Sequence, residues 1–525
     1  MSLGMCKLYR SITIFIIIGL LSGCYIDEQP TKDKVIVKHN KKQPKIIDLN
    51  IQEIKLDDKS DKKIVKRKII KKQNPKKVIK PKKNISKHKK IKHKEKFKKS
   101  TVLNKKHLDD FAFDLIKKGK QDNNTLLIVG GIQGDEPGGF MSASLISTHY
   151  KITKGSVWII PNLNFYSIIK RSRGPFGDMN RKFASLPKSD PEYKIIQRIK
   201  SYISDPHVKL ILNLHDGSGF YRPMYIDRWH QPLTWGQSSV IDQEILPGVK
   251  KYADTYSISE QVVKHINKHL LKKEDMYRTK NTHTRFKKTY EEQEMAKTLT
   301  YYAVTHGKAA FGHETSKSLN VSQRVYYKLL AIEKYMDIMG IKYKRKFPLT
   351  IKGIKKVLNE DISIKFDDTH IQIPLKDIRN IQKYFPVKPD GKIKYLPSNP
   401  LIKIIKKGKV YTIYYGNRRL TRLEADYAEH LNFNTTVTFI VDGERKKIKF
   451  GDTINVKKQF SIVDDKRFRV NVIGYKNRSG IETGHNISKN MFIKRYSVEK
   501  GANMYRVEFY KKKKFAGMIL INYIK

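Results

Sequence analysis

Three apolar runs in this chain end on residues able to do chemistry. Gln133 and Glu136 follow the run Thr125–Ile132 (TLLIVGGI), three positions apart in GGIQGDEPGG. His215 closes Val208–His215 (VKLILNLH), and Glu314 closes Lys308–Glu314, within AAFGHETS. A His at a strand end is structural more often than functional, but several polar residues at such ends form a constellation, because parallel α/β sheets bind ligands outside the carboxyl ends of their strands. The chain has only two cysteines, Cys6 and Cys24. A Cys-based zinc site and a disulfide framework are therefore excluded, and any metal must be held by His, carboxylate or amide groups. Between the runs lies the loop Arg171-Ser-Arg173-Gly-Pro-Phe-Gly-Asp-Met-Asn180-Arg181-Lys-Phe183. Its guanidinium groups suit an acidic substrate, since they pair bidentately with carboxylates. A solvated basic loop is the other reading of the same residues.

The elements that must position these residues alternate. The strand Ser156–Leu163 and helices at Gly138–Tyr150, Pro191–Ser204, Ile258–Leu271, Tyr290–Thr305 and Val321–Met339 interleave with the three runs above. This pattern predicts an α/β domain over residues 101–345, a mostly parallel, mixed sheet flanked by helices. Beyond Arg345 short runs such as Val410–Tyr415, Thr435–Val441 and Tyr505–Tyr510 are separated by Gly, Asp and Asn turns. They predict two small all-β modules, a barrel-like one at 346–430 and a sandwich (immunoglobulin-like) at 431–525.

Lys and Arg number 108 against 50 Asp and Glu in 525 residues, a formal charge of +58 that calls for an acidic partner. The N-terminus decides which partner is reachable. Lys7 and Arg10 precede the apolar stretch Ile12–Leu21, too short to span a bilayer, and Leu21-Ser22-Gly23-Cys24 then reads as a lipobox. Residues 1–23 are thus expected to be a signal peptide, with Cys24 the lipidated residue of a periplasmic, membrane-anchored lipoprotein. Residues 24–100 are expected to form a lysine-rich disordered tether; Asp61–Lys99 alone carries 20 basic residues against 2 acids. Export, and the lack of a recognisable binding motif, exclude nucleic acid as the partner. No GxGxxG, Walker, HExxH or GxSxG motif occurs.

In this order the residues resemble the zinc carboxypeptidases of the carboxypeptidase A type. That pattern is H-x-x-E after an early strand, an arginine followed by an Asn-Arg pair, a later His, then a catalytic Glu. Here it reads Gln133-x-x-Glu136, Arg173, Asn180-Arg181, His215 and Glu314, with Gln where the family has His. Together with the β-rich C-terminal third, the Gln is similar to peptidoglycan DL-carboxypeptidases that set cell shape in helical Gram-negative bacteria. The resemblance implies Zn2+ held by Gln133, Glu136 and His215, with Glu314 as the proton shuttle. It implies Arg173 for the oxyanion and Asn180 and Arg181 for the substrate's terminal carboxylate. The implied reaction trims the peptidoglycan stem L-Ala-γ-D-Glu-meso-diaminopimelate to a dipeptide by activating a water. Two other readings share these residues: an N-acyl amino acid deacylase of the succinylglutamate desuccinylase or aspartoacylase type, and an inactive wall-binding protein. The lipobox carries its own test. Cys24→Ala should release the protein from the membrane fraction with its activity intact; unchanged fractionation would remove the anchor.

Overall fold

The computed structural model describes Leu108 and residues 111–524, apart from 287, 367–370, 432–434 and 477–479. The expected signal peptide, Cys24 and the lysine-rich segment lie outside the described residues.

The main sheet has seven strands: β1 Ile116–Gly119, β2 Thr125–Val129, β3 Ser156–Ile160, β4 Val208–Gly217, β5 Ser238–Ile241, β6 Arg278–Asn281 and β7 Ala309–Ser316. Their spatial order is β1-β3-β2-β4-β7-β5-β6. The central strands β3, β2, β4 and β7 run parallel, whereas β1 and β5 lie antiparallel to β3 and β7, so the sheet is mixed. The helices are α1 Pro137–His149, α2 Phe165–Lys170, α3 Tyr193–Ser204, α4 Thr255–Asn267, α5 Tyr290–Met295, α6 Leu299–Thr305, α7 Val321–Ile338 and α8 Ile351–Asn359.

Period-two alternation explains why apolar runs become central strands. Leu126, Ile128, Leu210 and Leu212 fill one core with residues of α1, α4 and α7. Leu127, Val129, Trp158 and Ile211 fill the opposite core with Ile196, Ile199 and Ile203 of α3 and Leu299 and Ala303 of α6. Each fully buried aliphatic side chain contributes about 1.5–3 kcal/mol, so a strand covered on both faces needs an unbroken apolar run.

The carboxyl end of β4 is pinned by charge. Its Leu214 and Asp216 face α1 and α7, and Asp216 accepts from Gly138 N (2.8 Å) while pairing with Lys328 Nζ (3.0 Å) and Arg324 Nη1 (3.3 Å). Burial works to raise the Asp216 pKa, but these two cations hold it below the ordinary carboxylate value. Lys328 also donates to His215 O and Thr315 Oγ1, tying β4 to β7. The approach of α1 needs Gly138, where a Cβ would sit 2.3 Å from Asp216 Oδ1.

The structure differs from the sequence reading in three places. The helix expected over Tyr290–Thr305 is broken into α5 and α6, because Thr298 caps the N-terminus of α6 and Asn180 Oδ1 accepts from Leu299 N (3.0 Å). The short strands β5 (SSVI) and β6 (RTKN) carry too few apolar residues to announce themselves. Helix α8 stands where only β structure was expected; it buries Ile354, Val357 and Leu358 on one face and is capped by Thr350.

Two β regions follow. Three strands within 363–397 and four within 381–427 make two sheets whose buried residues, among them Ile364, Tyr411 and Leu423, join the core of the α/β domain. Residues 436–523 form two four-stranded sheets around a separate core that includes Phe439, Phe450, Phe460 and Phe509.

Candidate active site

The fold gathers all the sequence-selected residues that lie among the described ones around one cavity of about 280 Å³. β2, β4 and β7 are neighbours in the sheet, so the loop after β2 brings Gln133 and Glu136 beside His215 on β4. In the parallel register Glu314 of β7 lies directly opposite His215. The turn after β2 passes so close to α2 that a Cβ at Gly134 would meet Ser167 backbone atoms at 2.1 Å. Pro137 opens α1 at its first turn, where its missing N–H costs nothing. Glu136 occupies the N-cap position but caps nothing; its carboxylate is committed to the cavity.

His215 Nδ1 is 3.0 Å from Gln133 Oε1 and 3.0 Å from Glu136 Oε2. Glu136 Oε2 also accepts from Asp216 N (3.0 Å), and Glu136 Oε1 accepts from Arg173 Nη1 (3.1 Å). Asp178 fixes the Gln133 amide. Gln133 Nε2 donates to Asp178 Oδ1 at 2.7 Å, which turns Oε1 toward His215. Asp178 also accepts from Arg173 Nε (3.0 Å) and Asn180 N (2.9 Å). Burial opposes ionisation of Asp178, yet Arg173 and these hydrogen bonds hold its pKa below the ordinary value.

Burial likewise opposes charge on His215, but the Glu136 hydrogen bond and charge leave its pKa above normal. Burial raises the Glu314 pKa; His215 draws it down and Glu136 adds to the rise. Asn180 is oriented by Leu299 N at its oxygen, which leaves its amide nitrogen 3.4 Å from His215 Nε2. Arg181 lines the cavity, with Nη1 on Asn180 O (3.0 Å) and Nε 3.4 Å from Glu294 Oε2. The basic loop is therefore ordered around the site, and Arg171 Nε further anchors it to Asn417 O (2.7 Å).

Among the described residues no cluster of three or more His, Cys, Asp or Glu could hold a metal. The convergent set here has one His, one Glu and one amide oxygen. Metal bonds of about 2.0–2.2 Å in a tetrahedral site place neighbouring donor atoms roughly 3.3–3.6 Å apart, a few tenths of an ångström beyond the 3.0 Å separations around His215 Nδ1. The donor set fits a metal ion, with Gln133 supplying a neutral oxygen.

The sequence reading gave no role to Asp178, which bonds the site's side chains without lining the cavity, or to Lys317, which lines it. Asp178 is the sole acid of the basic loop and opens its Asp-Met-Asn-Arg-Lys-Phe run. Lys317 follows Glu314 by three positions and pairs with Asp135 (2.9 Å) and, more loosely, Glu136 (3.6 Å). Glu292 closes a capping box at the start of α5, where its carboxylate accepts from Thr289 N (2.8 Å).

A mixed α/β sheet with these residues at its strand ends, followed by β modules, defines a metallocarboxypeptidase. Residues 104–359 match the catalytic-domain family described as carboxypeptidases controlling helical cell shape, and residues 431–524 match a C-terminal domain of metallo-carboxypeptidase. The apo crystal structure of the cell shape determinant protein Csd4 from Helicobacter pylori is 36% identical, with a TM-score of 0.71, and the match covers 79% of this chain and 100% of that one. The tripeptide-bound Csd4 structure matches with the same identity, coverage and TM-score. An mDAP-bound form, described as a D,L-carboxypeptidase, matches at 36% identity and TM-score 0.71 over 78% of this chain and 100% of that one. No curated protein sequence matches the chain. The chain belongs to this family of carboxypeptidases controlling helical cell shape.

Asp178→Ala should weaken metal binding about 10–100-fold, as loss of a group that orients a ligand does. Competition with a chromophoric chelator measures it; unchanged affinity would mean Gln133 needs no such support.

Proposed function

We propose that the protein is a zinc D,L-carboxypeptidase that removes meso-diaminopimelate from the peptidoglycan tripeptide stem and so controls cell shape. The observation that supports it most is the cavity itself: Gln133, Glu136 and His215 converge on one side, and half-buried Glu314 lies opposite with no hydrogen bond to its carboxylate among the described residues. Csd4, crystallised with a tripeptide and with mDAP, supplies the substrate class.

Gln133 Oε1, Glu136 and His215 Nδ1 would hold the zinc. When bound, it supplies Lewis acidity to the attacking water and the scissile carbonyl. Glu314, its pKa raised by burial, accepts the water's proton and returns it to the leaving amine. Arg173 pairs with the oxyanion that develops at the carbonyl. The Asn180 amide nitrogen and the Arg181 guanidinium grip the terminal carboxylate of the substrate, which restricts cleavage to the last residue. The lipobox at Cys24 and the signal peptide before it support a periplasmic enzyme tethered to a membrane near the wall.

Digestion of purified sacculi, with mass spectrometry of the muropeptides, tests this. Tripeptide stems should become dipeptides with release of free diaminopimelate. Glu314→Gln should keep its metal and lose about 10²–10⁴-fold in rate. Sacculi and soluble tripeptide left intact by the metal-loaded protein would refute the activity.

A further inference from the structure

Arg171 is the C-cap of α2 and stands in the left-handed region, with φ 52° and ψ 41°. Glycine or asparagine ordinarily ends a helix this way, because a larger side chain is strained there. An arginine at such a position lowers stability unless its side chain offsets the strain. Here the side chain makes a bond: Arg171 Nε donates to Asn417 O at 2.7 Å. Asn417 belongs to the first β region, in the two-residue turn Gly416-Asn417 between the strands Val410–Tyr415 and Arg418–Tyr427.

The same turn reaches a second part of the site. Gly416, itself left-handed at φ 55°, lies against α1: a Cβ there would sit 2.9 Å from Phe140 Cε2 and 3.1 Å from Met141 Cε. Phe140 in turn backs the glycines that follow β2, since a Cβ at Gly131 would meet Phe140 Cβ at 3.3 Å. Arg418 secures the other flank of the turn, with Nη1 on Asn359 Oδ1 of α8 (2.8 Å). The turn is thus braced on the α/β domain and presents one carbonyl to the basic loop.

The loop Arg171–Phe183 has different supports along its length. Its far half is held by Leu299 N on Asn180 Oδ1 (3.0 Å) and by Lys182, which pairs with Asp190 (2.9 Å) and Glu192 (2.8 Å). Its near half hangs from the end of α2. Phe176 stacks on Tyr166, and Ser172 O accepts from Ser167 Oγ and from Gly134 N (2.9 Å). Gly134 directly follows Gln133, and Arg173 directly follows Ser172. A shift of Arg171 therefore passes through Ser172 to a candidate metal ligand on one side and to the oxyanion partner on the other.

We propose that Arg171 is a positioning residue, through which the Gly416-Asn417 turn of the β region holds the near half of the catalytic loop against the Gln133 turn. The first β region thereby becomes a working part of the active site. The roles of Gln133 and Arg173 rest on the carboxypeptidase reading above.

The test compares wild type with two variants. Arg171→Asn tolerates the left-handed backbone but cannot reach Asn417, and Arg171→Lys restores a cationic donor of similar reach. Arg171→Asn should melt close to wild type and bind zinc about fivefold more weakly in competition with a chromophoric chelator, the worth of one exposed hydrogen bond. Its amide hydrogen exchange should quicken over residues 172–177 and stay unchanged over 179–183. At saturating zinc its kcat on the diaminopimelate tripeptide should fall about fivefold. KM should not change, because Asn180 and Arg181 keep their own supports. Arg171→Lys should recover most of each loss. If Arg171→Asn fails to fold, Arg171→Gly gives the same comparison. Zinc affinity and exchange equal to wild type in Arg171→Asn would overturn the proposal. So would equal losses in the asparagine and lysine variants, or faster exchange spread over the whole domain. If wild type cleaves no tripeptide, the catalytic reading fails, and zinc affinity and exchange alone decide for Arg171.

Discussion

A neutral amide can act as a metal ligand only when its oxygen is aimed and its nitrogen is bonded elsewhere. In this protein the Gln133 nitrogen is bonded to Asp178, and much of the site hangs on that contact. The same carboxylate holds Arg173 and caps the turn Met179–Arg181 that delivers Asn180 and Arg181 to the cavity. Asn180 in turn starts α6 through Leu299 N. Because the folded pKa of Asp178 is depressed, these bonds are at full strength above the ordinary carboxylate value and are lost as pH falls through the depressed one.

Glu136 divides its work between its two oxygens. Oε2 meets His215 and the Asp216 amide, and Oε1 faces the cations Arg173 and Lys317. With Gln133 uncharged, Glu136 is the only anionic donor of the set, and its charge is already shared with those cations. Arg173, Arg181 and Lys317 give the cavity a basic lining suited to a substrate rich in carboxylates. The lysine-rich stretch, with 20 basic residues against 2 acids, supplies only part of the chain's charge of +58, and most of the excess lies outside it.

The sequence exposed what burial on both faces of a sheet demands. TLLIV, SVWII and VKLILNLH had to be central strands, and so Gln133, His215 and Glu314 were legible as residues at strand ends. Which strands are neighbours was not legible, because nothing in a single run encodes its partner; the pairing of Glu314 with His215 emerges only from the sheet order. The break between α5 and α6 was hidden because a distant side chain, Asn180, supplies the cap. The polar strands β5 and β6 were missed for want of an apolar signal, and α8 for its brevity amid β-like neighbours. Asp178 was legible only as one residue of the loop; its work at the site lies in what it bonds.

The direct test of the site is X-ray absorption at the zinc edge on the purified protein, wild type and Gln133→Ala. Wild type should hold one zinc with a single imidazole and oxygen donors from Gln133 and Glu136, and Gln133→Ala should lose most of its metal. A zinc held equally well by Gln133→Ala, with an unchanged spectrum, would contradict an amide-completed metal site.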